Sequence, residues 1–406
     1  ISSNYSNYQI KTIDDITITV AVLNDQESEV IFDVPAVSRG VEPVWVQIQN
    51  NDSIPYVLFP IRIDPNYFSP HEAARKVRYP QDSSTTPELM EYFDRHDLKK
   101  LINPGETVSG FIYTIPDTGV KEFEVKLVGP NTTKRSYFVF PVPGIKVDFE
   151  DLDYEEIYST HGTEEVDDIS LRNALVNLPC CTTNEEESGD GDPINLIVIG
   201  EIDEFLPYFL RQGWEVTEDI YVSSLIREVG AFFLGSSYRY APVSSLYVFK
   251  RGQDIALQKP RENIFRRNHL RLWLSHIRYD DKPVWVGQIS RDIGVSFSTK
   301  NWWLSNHEID PDVDEARDFL AQDLILSHGV KKFGYVRGMD PSPKDKPMMN
   351  FMDQPIYTDG LRAVFVFTDE HIDIVDLELF HWEWPFEYKN LHKTFSEENI
   401  HKTQTE

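Results

Sequence analysis

Along residues 1–145, short β-branched and aromatic runs recur between turn residues, and that rhythm makes an all-β module the expected fold. Thr alternates with Ile or Val from Ile16 to Leu23, Glu29 to Val34 follows, and Val44-Trp45-Val46-Gln47-Ile48-Gln49 comes next. Further strands are expected over Tyr56 to Ile63, Thr107 to Thr114, Glu122 to Leu127 and Ser136 to Val142. Strands this short, separated by turns such as Asn24-Asp25 and Asn50-Asn51-Asp52, suit a two-sheet antiparallel sandwich of immunoglobulin-like type. The paired cysteines and buried Trp of antibody domains are missing from this stretch, so the expectation is one of architecture. Near residues 69–100 a helical insertion interrupts the pattern. Ser69-Pro70-His71-Glu72 offers a cap, a proline at the first helical position and a Glu three residues after the cap. A second helical piece is expected near Pro87 to His96, with the insert projecting at one end of the sandwich or covering a sheet edge.

Residues 146–192 read as an acidic linker. Val147 to Asp192 holds fifteen acidic residues against a single basic one, Arg172, half of the chain's net charge of −28. One amphipathic helix is expected from Asp167 to Leu178, and Asn184 to Asp192 reads as a solvated loop. A chain this acidic is a poor partner for nucleic acid, whose phosphates require a basic face. The adjacent Cys180 and Cys181 read as a pair of thiols, because bridging neighbours departs from relaxed disulfide geometry. The longest apolar runs, Ile194 to Ile199 and Ala363 to Phe367, are far short of a bilayer span, so no transmembrane span is expected. Ile1 is not an initiator Met, which raises the expectation of a removed leader, secretory or lipoprotein, upstream.

A second domain is expected over residues 193–389, followed by a polar tail at 390–406. A buried strand at Ile194 to Ile199 leads into a helix containing Pro207, a strand from Trp214 and a helix over Ser223 to Leu234. Strands then follow at Ser245 to Lys250, Asn268 to Ile277, Pro283 to Ile289 and Ile293 to Ser298. Beyond a helix at Pro311 to Ser327 come strands at Lys332 to Arg337, Ala363 to Thr368 and Ile374 to Leu379. The mixture indicates an α+β domain with a mostly antiparallel sheet, and the whole chain a multidomain protein.

Lys250 to Trp273 forms a basic island of seven Lys and Arg against two acidic residues. It calls for internal or intersubunit pairing, or for an anionic partner. Alternation sets His269, Arg271 and Trp273 on one strand face and Leu270, Leu272 and Leu274 on the other. With Arg266, Arg267 and Arg291, these three form the candidate binding set, either lining a pocket or packed in a buried hydrogen-bonded layer. A catalytic alternative takes His269 or His307 as base beside Asp292, yet no Gly-x-Ser-x-Gly elbow surrounds any serine. Asp310, Asp312 and Asp314 imitate a calcium loop, but Glu315 stands where that loop needs Gly. A helix start explains them better, with Asp310 as cap and Pro311 at the first position. No metal and no cofactor are expected.

Asn268-His269-Leu270-Arg271-Leu272-Trp273, Pro283-Val284-Trp285-Val286-Gly287, Ser290-Arg291-Asp292 and the run from His307 through Arg317 together resemble the LssY C-terminal domain family. The likeness extends back to Pro193 and on to Thr358-Asp359-Gly360-Leu361-Arg362. Pro43-Val44-Trp45 and the run Asp64 through Pro70 resemble the β module that precedes this domain in some bacterial envelope proteins. The resemblance implies no reaction and no catalytic residue. In some relatives the domain is fused to a membrane phosphatase, whose motifs are absent here. It implies a place in the periplasm or at the outer membrane of a Gram-negative bacterium. The expected function is that of a non-enzymatic subunit or accessory of a secretion assembly, such as the outer-membrane complex of a type IV system. Its partners would be other envelope subunits in a hetero-oligomer. The rival expectations are a hydrolase acting on an anionic envelope molecule through His269 or His307 with Arg271 or Arg291, and a small-ligand binding module.

Overall fold

A computed structural model describes residues 5–78, 87–143, 153–217, 246–260, 267–297 and 305–385. They divide into a first unit ending at Ile145 and a second beginning at Lys146. In the first unit, β1 (Tyr8–Ile13), β2 (Ile16–Val22), β3 (Glu42–Asn50) and β6 (Thr107–Thr114) form one antiparallel sheet in that order. The second sheet runs β5 (Leu101–Ile102), β4 (Tyr56–Leu58), β7 (Gly119–Gly129), β8 (Thr132–Val142). Alternate residues Ile16, Ile18, Val20, Val44, Val46 and Ile48 meet Phe123, Val125, Phe138 and Phe140 in one core. Each such side chain contributes about 1.5–3 kcal/mol when fully removed from water.

The first sheet is apolar on its outer face too, through Ala21, Trp45, Phe111 and Tyr113. That face is covered by α1 (Asp25–Phe32), α2 (Pro70–Lys76) and α3 (Pro87–Arg95), through Phe32, Ala73, Ala74 and Phe93. The insertion therefore covers a sheet face, and neither projects from one end nor guards an edge. α1 replaces the strand expected over Glu29 to Val34. Asn24 caps it, accepting from the Glu27 N–H while the Glu27 carboxylate accepts from the Asn24 N–H. α2 begins at Ser69 with the expected reciprocal bonds to Glu72.

The second unit is built on a ten-stranded sheet. Its path is β13 (Glu215–Val216), β16 (Ile255–Pro260), β17 (Arg267–Tyr279), β18 (Lys282–Phe297), β12 (Leu196–Ile199), β23 (Leu361–Phe367), β20 (Val330–Arg337) and β24 (Glu378–Leu379). β9 (Glu164–Val166) adds to β17 and β19 (Ser305–Ile309) to β18. The sheet is mostly antiparallel, with parallel pairs at β12–β23, β9–β17 and β20–β24. A smaller sheet runs β11 (Asp190–Pro193), β10 (Cys181–Thr183), β14 (Tyr247–Val248), β15 (Arg251–Gly252). β21 (Met348–Met349) and β22 (Pro355–Ile356) form a separate hairpin.

Helices cover both faces of the large sheet. α4 (Tyr154–His161) precedes α5 (Asp168–Val176), which packs Leu171 and Leu175 against Ile197, Trp273, Val286 and Val364. On the opposite face, α6 (Ile202–Arg211) sets Phe205 against Trp285 and Phe209 against Phe367. α7 (Val313–Ile325) lies on that side as well, where its Phe319 ring receives Lys259 and Arg291. The acidic stretch is thus no mere linker, since β9, α5, β10 and β11 are built into the second unit. Cys180 and Cys181 are disulfide-bonded to each other, correcting the reading of free thiols.

β16 and β19 were not expected as strands, and Ile374–Asp376 is a 3-10 turn where a strand was. The helix expected over Ser223 to Leu234 and the tail lie outside the described residues. Among the described residues, no helix is long and apolar enough to cross a membrane.

Candidate functional site

The face of β17 that carries Trp273 changes character along its length. Trp273 joins Val284 and Val286 in the apolar core, and Arg271, His269 and Arg267 continue the same face as a polar layer. The register sets Arg271 opposite Gln288 and His269 between Ser290 of β18 and Gln258 of β16. All of these side chains are buried, Gln288 completely and Arg267 to 2% exposure. Buried polar groups require partners, and this layer supplies most of them, the Trp273 Nε1 beside it being an exception among the described residues. Arg267 Nη1 donates to Gln258 Oε1 at 2.5 Å, and Arg271 Nη1 to Gln288 Oε1 at 2.7 Å. Gln288 Nε2 donates to Asp192 Oδ2 at 3.3 Å, and Asn350 Nδ2 to Asp192 Oδ1 at 3.0 Å.

His269 is the pivot. Its Nε2 lies 2.7 Å from Asp292 Oδ2 and 2.8 Å from Arg267 Nε. One nitrogen cannot donate to the carboxylate and accept from the guanidinium at once. With Nε2 bare it accepts from Arg267 Nε–H, and with Nε2 protonated it donates to Asp292, so the two contacts belong to alternative tautomers.

Burial pushes the imidazole down to about 4, with Asp292 pulling the other way. Burial likewise lowers Arg271 to about 10 and raises the Asp192 carboxyl. Among the described residues, two arginines of this layer, Arg267 and Arg271, face two aspartates, Asp192 and Asp292, around His269.

That depressed imidazole makes a prediction. An unfolded His titrates near 6.5, so between about 6.5 and 4 the unfolded chain binds the extra proton and stability falls with pH. The loss amounts to about 3 kcal/mol over that window. Urea titrations of the parent chain and His269→Gln at pH 7 and pH 4 should show the parent losing that much more than the variant. Matching acid profiles would refute the assignment.

The other expected residues separate. Arg291 occupies the opposite face, where Nε donates to Asn268 Oδ1 at 3.2 Å and the guanidinium lies 5.6 Å from the Phe319 ring centre. It cannot act with His269, because neighbours of Ser290 and Asp292 on a strand point away from them. His307 sits on β19 opposite Val295 of β18, and its side chain lies outside the described residues, as does Arg266. Gln258, Gln288, Asp192 and Asn350 were missed. Gln288 was legible two positions before Ser290, whereas Asn350 reaches Asp192 from 158 residues away.

Two more buried arginines hold the frame of the site. Arg317 of α7, 1% exposed, forms a fork with Asp359, Nη1 to Oδ1 at 2.7 Å and Nη2 to Oδ2 at 3.1 Å. It also donates to Asp314 and Asp318. Asp314 in turn accepts from the Thr358 hydroxyl and the Asp359 N–H, both at 2.7 Å. The calcium-like spacing is therefore spent inside the protein. Asp312 rather than Asp310 stands at the helix cap position, and its side chain makes no cap bond. Arg362 is fully buried and donates to the carbonyls of Ile194, Leu175 and Pro179.

The Arg317–Asp359 fork lies within a segment that matches a known family, and Arg362 stands one residue beyond its end. Residues 173–361, just under half of the chain, match the family described as the LssY C-terminus. This segment is an LssY C-terminal domain. The match begins within α5, so the LssY C-terminal domain takes in part of the acidic stretch and starts before Pro193. It encloses every described member of the polar layer as well as the Arg317–Asp359 fork. No curated protein sequence matches the chain.

Proposed function

We propose that this chain is a non-enzymatic protein of the bacterial cell envelope that acts through protein contacts, as a subunit or accessory of a secretion assembly. The observation that carries the reading is the polar layer itself. Arg267, His269, Arg271 and Asp292, the side chains best suited to chemistry, are buried and bonded to one another or to Gln258 and Gln288. Apolar side chains meanwhile stand exposed in both units. On β4, β5 and the turn that follows β4, these are Val57, Phe59, Ile61 and Leu101. Beside Asn350, they are Met349, Phe351 and Met352. Met and aromatic residues of this kind are enriched at protein interfaces.

The crossings between sheets from β3 to β4 and from β6 to β7 support reading the first unit as an immunoglobulin-like contact domain. A periplasmic or outer-membrane location, a lipid anchor and membership of a type IV outer-membrane complex belong to the same proposal. Cross-linking in intact cells, followed by mass spectrometry, tests it. A fixed set of envelope partners is expected, diminished by Phe59→Asp or Phe351→Asp. A chain that remains monomeric in both membrane and soluble fractions would defeat the reading.

A hydrolase is the second reading, favoured by one observation: Ser290 stands directly opposite His269, which bonds Asp292. Against it, an imidazole lowered to about 4 is a weak base at neutral pH, and among the described residues no hydrogen bond joins Ser290 Oγ to His269. A fluorophosphonate probe should leave Ser290 unlabelled; labelling abolished by Ser290→Ala would reinstate the enzyme.

A further inference from the structure

Where α7 ends, the chain turns through His328 in the left-handed region, at a φ of 65°. The residue is then fastened to a second loop at two points. Ile372 N–H donates to the His328 carbonyl at 2.9 Å, and His328 Nδ1 lies 3.0 Å from the Ile372 carbonyl oxygen. Thr368 N–H adds a bond to the carbonyl of Gly329 at 3.0 Å. This frame presents the residues on either side of Ile372, His371 and Asp373, to His328. The two imidazoles stack with centroids 4.4 Å apart. His371 Nε2 is 3.2 Å from Asp373 Oδ1, and His328 Nδ1 is 4.0 Å from the same oxygen. One nitrogen from each ring and a carboxylate oxygen thus stand within 4.8 Å of one another. Both rings are about one-third exposed and Asp373 more so, leaving the group open to solvent.

We infer that His328, His371 and Asp373 form a binding site for a divalent transition metal, with zinc as the best-suited ion. Two imidazole nitrogens and one carboxylate oxygen are a donor set zinc takes, with a fourth position left for water. Tetrahedral zinc, with ligand bonds near 2.0–2.2 Å, holds its ligand atoms roughly 3.3 Å apart. The 3.2 Å and 4.0 Å separations lie on either side of that spacing. His328 can ligate through Nε2 while Nδ1–H keeps its bond to the Ile372 carbonyl, or through Nδ1 once that bond is given up. His328 also follows, by three residues, the C-terminal end of a thirteen-residue helix, the end whose dipole favours a cation. Hard, oxygen-seeking ions such as calcium and magnesium are excluded by the two nitrogens. The site is separate from the His269 layer and does not depend on the function proposed for the chain.

The test uses the full chain, dialysed against chelator and kept free of reductant so that Cys180 and Cys181 remain paired. Calorimetry with zinc chloride should give one saturable site, and cobalt chloride should give the visible absorption of tetrahedral cobalt. His328→Ala and His371→Ala should each weaken zinc binding at least tenfold, a loss that even changes to outer-shell partners produce. Asp373→Asn alters an exposed side chain without threatening the fold and should weaken binding in the same direction. His276→Ala, at another part-exposed histidine, should leave it unchanged. No zinc uptake by the parent chain, or uptake unchanged in the Asp373→Asn and both histidine variants, would overturn the assignment.

Discussion

Arg362→Ala should lower the unfolding free energy by about 4 kcal/mol, read from urea titration at neutral pH. The side chain is wholly buried, and every partner it has is a carbonyl. Nε donates to Ile194 at 3.1 Å, Nη1 to Leu175 at 2.6 Å and Nη2 to Pro179 at 2.5 Å, with longer reaches to Leu178 and Gly338. Leu175 lies in the last turn of α5 and Leu178 just beyond it, where helical carbonyls have no partner of their own. The guanidinium closes the helix from inside the core, a position its positive charge also favours. Burial lowers it only to about 10, so it is charged at neutral pH. Truncation strands several carbonyls, each costing about 1–3 kcal/mol when left dry, and water entering the vacated space recovers part of the sum. Arg362→Lys keeps the charge but presents it at a single point, so it should regain less than half of the loss. Gly338→Ala acts through the same contact in reverse, because a Cβ there would meet Arg362 Nε at 2.4 Å. A loss below 1 kcal/mol in Arg362→Ala would show that the frame does not depend on this residue.

The parts of the fold that were legible in the sequence are those specified locally. At Ser69 the cap oxygen, the fixed backbone of Pro70 and the returning Glu72 carboxylate are all within four residues, and the helix forms there. The same device at Asn24 and Glu27 was masked by the β-branched pair Val30-Ile31. Val30 is 88% exposed, so its strand propensity had no buried face to act on, and the cap prevailed. In β2 and β3 the alternation of Thr17, Thr19, Gln47 and Gln49 with apolar residues reads as one polar face, and only Ala21 and Trp45 break it. For that reason, little in β2 and β3 announced that three helices would cover the outer side of their sheet.

The polar layer was half visible. The period of two grouped His269, Arg271 and Trp273 and, applied to β18, would have separated Arg291 from Asp292. Asp192 and Asn350 depend on pairings between distant segments, and no single-sequence pattern encodes those. Arg317 and Arg362 lay inside the family-like segments without any sign of burial, because arginine reveals its burial only through its partners.

The fork at Arg317 yields the second large effect, and the response to pH distinguishes its cause from simple loss of packing. Arg317→Ala should cost about 4 kcal/mol at pH 7.5, because it leaves Asp314, Asp318 and Asp359 together with no cation among them. In the parent chain Asp314 is already raised to about 6, first by burial and then by the nearby Asp359, while Arg317 pulls it down. An acid whose folded pKa is raised holds its proton more tightly in the folded state, so stability falls as pH rises through the window from about 4 to 6. Without Arg317 that restraint is gone and the window moves upward. Asp314 then stays protonated to higher pH, and its hydroxyl can donate to a neighbouring carboxylate instead of repelling it.

The deficit of Arg317→Ala should therefore shrink by at least about 1 kcal/mol between pH 7.5 and pH 5, an upward shift of a pKa unit being worth about that much. Asp314→Asn in the same background should reproduce the gain at pH 7.5 and abolish its pH dependence. A deficit that is the same at both pH values would mean that Arg317 holds α7 by packing against Tyr335, whose ring centre lies 5.1 Å from the guanidinium, and that the three carboxylates are bystanders.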